Sequence, residues 1–340
     1  MAARIGHGAA FLGSIGRYWQ PPPGWRVLVF GTTNGRRRRA LGETDLITRR
    51  RLLIGGLVAG VGAVGAGVAV IEDVLPGGPA LRRRLGMTGE DGAVPDVPPV
   101  PIAEHTMRSA ARGRDVNVVT AAPTGVDPAT LPVCLVLYGR GGNAHVAVDT
   151  TLAKFLTAAL GAGVPPFALV AVDGGTDSYW IAQDKGDDPQ AMLHDELPRW
   201  LTSLGLTRSG GVPAAALGTS MGCFGALVYA RRRAAAPPVT ALLSPALFRE
   251  WGDASTVNAF HTEALWADNE PLRHLDQLDP TLALGVWCGQ EDPFYPSARQ
   301  LADRARPEVA SFDHGDHNAG YWNRVTPDAL RFVGERVRRA

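Results

Sequence analysis

From about residue 105 to the C-terminus the sequence alternates short apolar runs with stretches long enough to form a helix. That alternation confines the chain to few architectures. The runs are 116–121, 133–138, 167–172, 214–217, 239–243, 282–287 and 309–312. Parallel strands need a long crossover between them, usually a helix, so short apolar runs separated by helical segments predict a mostly parallel central sheet with helices on both faces. No internal repeat is evident, and the stretch is long enough for one domain with a sizeable core.

The fourth run leads into Gly218-Thr219-Ser220-Met221-Gly222, and 223–231 then reads as a helix. A serine at the tip of a sharp strand-to-helix turn is a nucleophile elbow. Glycines two residues to either side remove side chains that would collide there. The pentapeptide alone fits equally a glycine-lined turn with a capping serine. The preceding strand, the following helix and the downstream partners favour Ser220 as nucleophile. The Met221 N–H, at the helix N-terminus, would then face developing oxyanion charge.

Those partners follow in the order acid, then histidine. Asp292 lies in Cys288-Gly289-Gln290-Glu291-Asp292-Pro293-Phe294, just beyond the run 282–287. Glu291 is its rival, and Asp292 is preferred because Pro293 pins the chain after it and its spacing from the strand suits an acid loop. The histidine is sought in Asp313-His314-Gly315-Asp316-His317-Asn318. His317 is preferred over His314 because Gly315 and its polar neighbours suit a loop that carries an imidazole to Ser220. A metal site here is a formal alternative, but no H-E-x-x-H or comparable spacing is present.

A second oxyanion donor is expected from Tyr138-Gly139-Arg140-Gly141-Gly142, after the run 133–138, with the Arg140 N–H as the choice. This loop lacks the Lys-Ser/Thr ending of a P-loop and the full dinucleotide fingerprint, so no cofactor is implied. Asp173 and Trp180 fall near or beyond a strand's C-terminal end, where open α/β sheets bind ligands, and are candidate substrate-pocket residues. Each has a structural alternative: Asp173 satisfying turn amides, Trp180 filling the core.

With these segments in place, residues from about 105 to 340 resemble the esterase family that contains esterase D (S-formylglutathione hydrolase) and the antigen 85 mycolyl transferases, within the α/β-hydrolase superfamily. The resemblance is carried by Leu137-Tyr138-Gly139-Arg140-Gly141-Gly142, Val172-Asp173-Gly174-Gly175 with Ser178-Tyr179-Trp180, Asp195-Glu196-Leu197-Pro198-Arg199-Trp200-Leu201, the Ser220 elbow, and His317-Asn318-Ala319-Gly320-Tyr321-Trp322. It implies the α/β-hydrolase fold and acyl-ester chemistry on a small-molecule or lipid ester, with Ser220, Asp292 and His317 as the catalytic residues. Three positions depart from the pattern. Gly222 stands where the mycolyl transferases usually carry alanine, Asp292 where they use glutamate, and Tyr138 where hydrolase oxyanion loops usually have histidine. Water is therefore the default acyl acceptor. Acyl transfer and a catalytically inactive exported binding protein remain alternatives.

The first hundred residues have a different character. Residues 1–47, with Pro21-Pro22-Pro23 and many glycines, read as a poorly structured extension. Residues 48–71 join Arg49-Arg50-Arg51 to an uncharged stretch rich in Gly, Ala and Val, and resemble a twin-arginine export signal or a membrane anchor. This predicts a secreted or cell-envelope protein that engages the twin-arginine machinery and meets the membrane only through this segment. Residues 72–103, rich in Pro and Gly, read as an extended linker, with the catalytic domain at 104–340. A net charge of +1 gives no bias toward nucleic acid. Cys134, Cys223 and Cys288 fall in or near buried elements and read as inert core thiols. Their odd number rules out a fully paired disulfide framework within one chain.

Overall fold

The computed structural model describes residues 77–233, 238–257 and 259–337. The expected N-terminal extension, the export signal or anchor, and positions 72–76 of the expected linker lie outside the described residues. Eight strands form one sheet: β1 (Ile102–Ser109), β2 (Arg114–Ala121), β3 (Val133–Leu137), β4 (Ala168–Val172), β5 (Ala215–Thr219), β6 (Val239–Leu243), β7 (Leu284–Trp287) and β8 (Val309–Ser311). Their order is β1-β2-β4-β3-β5-β6-β7-β8. The β1–β2 and β2–β4 pairs are antiparallel, and every pair from β4 to β8 is parallel. This is the mostly parallel, helix-covered sheet that the alternation predicts.

Burial explains why seven runs were legible and one strand was not. Strands β3, β4 and β6 are buried at every position. A parallel strand covered on both faces reads as a continuous apolar run. By contrast β1 is a mostly exposed edge strand, Ile-Ala-Glu-His-Thr-Met-Arg-Ser, buried only at Ser109. No apolar run marks it, and its first residues lie in the stretch that composition assigns to a linker.

That stretch is also more structured than expected. Over its described part it forms a seven-residue helix, Gly78–Arg84, and then an extended chain that lies against the domain. Proline disfavours a sheet interior but suits extended chain on a surface, so composition alone does not distinguish a docked segment from a free one. Arg82 is buried in this contact. Among the described residues no helix is long and apolar enough to cross a membrane.

Two helices set the functional region. Met221–Arg231 packs on β5, β6 and β3, and the C-terminal helix Ala319–Val337 packs on β6, β5 and β7. In the first, residues Met221 to Ala230 are all buried. Gly225 in that helix and Gly174 after β4 leave the space that the Trp180 ring fills, since a Cβ on either would lie 2.4 or 2.3 Å from it.

Candidate active site

Ser220 is the residue between the end of β5 and the helix Met221–Arg231, and it has φ 55° and ψ −119°. A non-glycine residue at positive φ is strained and needs its surroundings to hold it there. Here the Ser220 N–H donates to Leu243 O at 2.9 Å, and its carbonyl accepts from Cys223 N at 3.0 Å and Ala246 N at 3.3 Å. The flanking glycines are required by space: a Cβ on Gly218 would lie 2.6 Å from Cys223 N, and one on Gly222 would lie 1.9 Å from Leu137 O. Gly222 therefore lets the helix start touch the end of β3 and brings the loop after β3 to the serine.

That loop lies against Ser220 at Gly139. A Cβ on Gly139 would sit 3.2 Å from Ser220 Cβ. The loop is held by Gly141 N–H donating to Thr176 O at 2.6 Å and Gly142 N–H to Gly139 O at 3.1 Å. The Arg140 side chain turns outward to Asp177 at 2.6 Å. Beneath, the Tyr138 hydroxyl accepts the Gly174 N–H at 2.6 Å, and burial pushes its pKa up to about 12, so the phenol stays protonated.

The imidazole of His317 bridges the serine and the acid. Its Nε2 is 2.9 Å from Ser220 Oγ, and its Nδ1 is 2.8 Å from Asp292 Oδ2. The Asp292 carboxylate is shielded from solvent, and its Oδ1 accepts the Phe294 N–H at 2.8 Å. The His317 ring packs against Phe294 and meets Trp322 edge-on, each at 5.3 Å between centroids. Trp322 is itself anchored by donating Nε1–H to Ser244 Oγ at 3.0 Å. The aromatic walls and the carboxylate at Nδ1 set the tilt of the ring and turn Nε2 toward the Ser220 hydroxyl.

The rival residues form a second pair alongside. His314 Nδ1 lies 3.0 Å from Glu291 Oε1, so Glu291 is paired away from His317. His314 does not pack inward: its side chain is 55% exposed. The loops carrying the two pairs touch through backbone, since a Cβ on Gly289 would lie 2.1 Å from Gly315 O.

The structure does not bring the two candidate pocket residues to the serine. Trp180 is fully buried and donates Nε1–H to the Tyr138 carbonyl at 3.3 Å, so it is a core residue supporting the glycine loop rather than a pocket wall. The Asp173 carboxylate takes up Asn117 N at 3.1 Å, Asn117 Nδ2 at 2.9 Å and Ala144 N at 2.9 Å, which is the turn-amide role. Asp173 lines a cavity of about 360 Å³ with Arg112, Arg114 and Asn143, and Ser220, His317 and Asp292 are not among its walls. The sequence reading missed Ser244 and Phe294. Only the fold brings Ser244 to Trp322, but Phe294 lies two residues after Asp292 and was visible as a neighbour.

All three cysteines are free and buried, and burial pushes their thiols well above the ordinary value. Cys223 packs below the elbow, its Sγ 3.1 Å from Gly218 O and 3.2 Å from Leu243 O. A thiol so buried and raised is a poor nucleophile. Among the described residues no group of three or more His, Cys, Asp or Glu is placed to hold a metal ion.

Comparison with known proteins agrees with this architecture. The family described as "Putative esterase" matches residues 109–332. Among solved structures, a ferulic acid esterase superposes with a TM-score of 0.57 at 17% identity, covering 70% of this chain and 99% of that one. An S-formylglutathione hydrolase from Agrobacterium tumefaciens gives 0.56 at 13% identity, over 73% of this chain and 98% of that one. The fluorophosphonate-binding serine hydrolase F of Staphylococcus aureus gives 0.55 at 16% identity, over 69% and 98%. At these identities the likeness shows the fold. No curated protein sequence matches the chain.

Proposed function

This chain belongs to the esterase family whose match spans residues 109–332, and we propose that within it the protein is an exported serine esterase acting through an acyl-enzyme on Ser220. The observation that carries this reading is the unbroken line from Ser220 Oγ to His317 Nε2 at 2.9 Å and from His317 Nδ1 to Asp292 Oδ2 at 2.8 Å. As the Ser220 oxygen attacks the ester carbonyl, His317 takes its proton, and the buried Asp292 carboxylate stabilises the imidazolium so formed. The negative charge moved onto the carbonyl oxygen is received by the Met221 N–H at the helix N-terminus and by the backbone N–H of Arg140. Collapse of the intermediate expels the alcohol or thiol, which takes the proton from His317. Water, activated by the same imidazole, then releases the acid.

A fluorophosphonate tests this directly, because it forms a covalent bond only with an activated serine. Wild-type protein is expected to be labelled at Ser220, and Ser220→Ala to be unlabelled. Labelling elsewhere, or none, would contradict the reading. Export rests on residues 48–71 alone, and is tested by changing Arg49 and Arg50 to Lys, which should retain the enzyme in the cell with its activity intact. Normal export of that variant would remove the twin-arginine route.

A further inference from the structure

Glu291 is a fully buried carboxylate beside the acid–histidine pair that the proposed mechanism leaves unused. Three residues from two separate parts of the chain converge on it. Arg82, itself buried, donates its Nε–H to Oε1. His314 Nδ1 lies 3.0 Å from the same oxygen, and Gly315 N–H donates to Oε2 at 2.7 Å. The backbone of Glu291 is also engaged: its N–H donates to Gly315 O at 2.9 Å, and its carbonyl accepts from Arg83.

The chain beyond this helix stays on the same surface. Arg324 donates to Glu90 O at 2.7 Å and also to His314 O. Gly92 N–H donates to Gly320 O at 2.8 Å, and a Cβ on Gly320 would lie 1.8 Å from Asp91 Oδ1. Arg83 Nη1 lies 4.0 Å from Asp316, whose Oδ1 accepts the His317 N–H at 2.8 Å. Residues 78–92 thus touch the acid loop, the histidine loop and the start of the C-terminal helix.

We propose that residues 78–92 form a strap that holds Asp292 and His317 in register with Ser220, with Arg82 and Glu291 as its positioning residues. This rests on the reading of Ser220, His317 and Asp292 as the catalytic array. The sheet alone holds the histidine loop weakly, because β8 is a three-residue edge strand with no fully buried position. Glu291 is bonded to Asp292 through the chain, so a displacement of one moves the other. A buried carboxylate deprived of its cation is unfavourable and is relieved by water entry, protonation or movement, each of which loosens the join between the two loops. A chain cut beyond residue 92 would lack the strap and be a poor catalyst even if folded.

The test measures kcat, KM and melting temperature on a short-chain nitrophenyl ester for the full-length chain. Arg82→Gln is expected to lower kcat by roughly ten- to a hundredfold, with KM within about twofold, because geometry suffers and no substrate contact is lost. Arg82→Lys should recover part of that loss. Arg84→Gln, which removes the same charge from an exposed position of the same helix, should match wild type. The double variant Arg82→Gln/Glu291→Gln removes the uncompensated charge, so its melting temperature should recover while its kcat stays low. Wild-type kcat in folded Arg82→Gln, or in the stable double variant, would overturn the proposal. If Arg82→Gln does not fold, Arg82→Lys decides in the same way, with lowered kcat at unchanged KM required. A wild-type protein that is inactive and unlabelled by fluorophosphonate would instead overturn the reading of the catalytic array, and the strap with it.

Discussion

Ser220 and the Asp292–His317 pair are held by different means. Around Ser220 the constraints come from the elbow itself and the strands beside it: a serine at φ 55°, Gly218 against Cys223, and Gly222 against Leu137. Around Asp292 and His317 the aromatic rings of Phe294 and Trp322 are joined by contacts from far along the chain, through Arg82 on Glu291 and Arg324 on Glu90. The first region is a packing problem solved by small residues in the sheet centre. The second is a charge problem solved at the sheet edge. Changes in the first region should therefore act through collision and strain, and changes in the second through lost charge and loosened loops.

The sharpest separation is expected between two adjacent carboxylates. Asp292→Asn should lower kcat by roughly 10³- to 10⁴-fold, because the imidazole loses its orienting acceptor and its countercharge. Glu291→Gln should lower it by about tenfold, since it acts only by positioning. Steady-state kinetics of the two variants check this, and the reverse order would show that the acid has been misassigned.

A smaller effect is expected on the packing side from Gly222→Ala. Its Cβ would lie 1.9 Å from Leu137 O, so the helix start must move away from β3. We expect a loss of about 1–3 kcal/mol in denaturant unfolding. We also expect a fall of roughly a hundredfold in kcat/KM as the glycine loop shifts from Ser220. A fully active alanine variant would show that close approach there does not matter.

The smallest effect belongs to Glu270, a buried carboxyl group that accepts the Phe248 N–H and the Trp266 Nε1–H. Burial raises its pKa from the ordinary 4.5 to about 8, outweighing the backbone and indole donors that act in the opposite direction. Between those values the folded state holds a proton that the unfolded state releases. The stability it contributes is therefore full below the ordinary value and is lost as pH rises through the folded one. Wild-type melting temperature should fall by a few degrees more than that of Glu270→Gln over this range. Parallel melting curves would remove the carboxyl from the account.

Much of this fold, and part of the site, could be read from sequence, for a physical reason. A buried parallel strand is an apolar run and an elbow is a local pattern of glycines, so β3 to β7 and the Ser220 turn announce themselves. The edge strand β1 has no apolar run to show. The segment 78–92 has a linker's composition, and its docking shows only in contacts across the chain, such as that of Arg82 with Glu291, 209 positions later. The same limit applies to Trp180. An aromatic residue beyond a strand end suggests a pocket, whereas Gly174 and Gly225, far apart in sequence, have made room for it in the core. The fold pairs Asp292 with His317 and Glu291 with His314 and Arg82, and those pairings lie in tertiary contacts that the local sequence does not show.

The central claim is that Ser220 and His317 work as one unit, the hydroxyl becoming nucleophilic only when the imidazole accepts its proton. The most direct measurement is kcat for Ser220→Ala, His317→Ala and the double variant on one ester. Each single change should remove turnover by roughly 10³-fold or more, and the double variant should be hardly worse than either. Near-normal activity in Ser220→Ala, or losses that multiply in the double variant, would contradict the account.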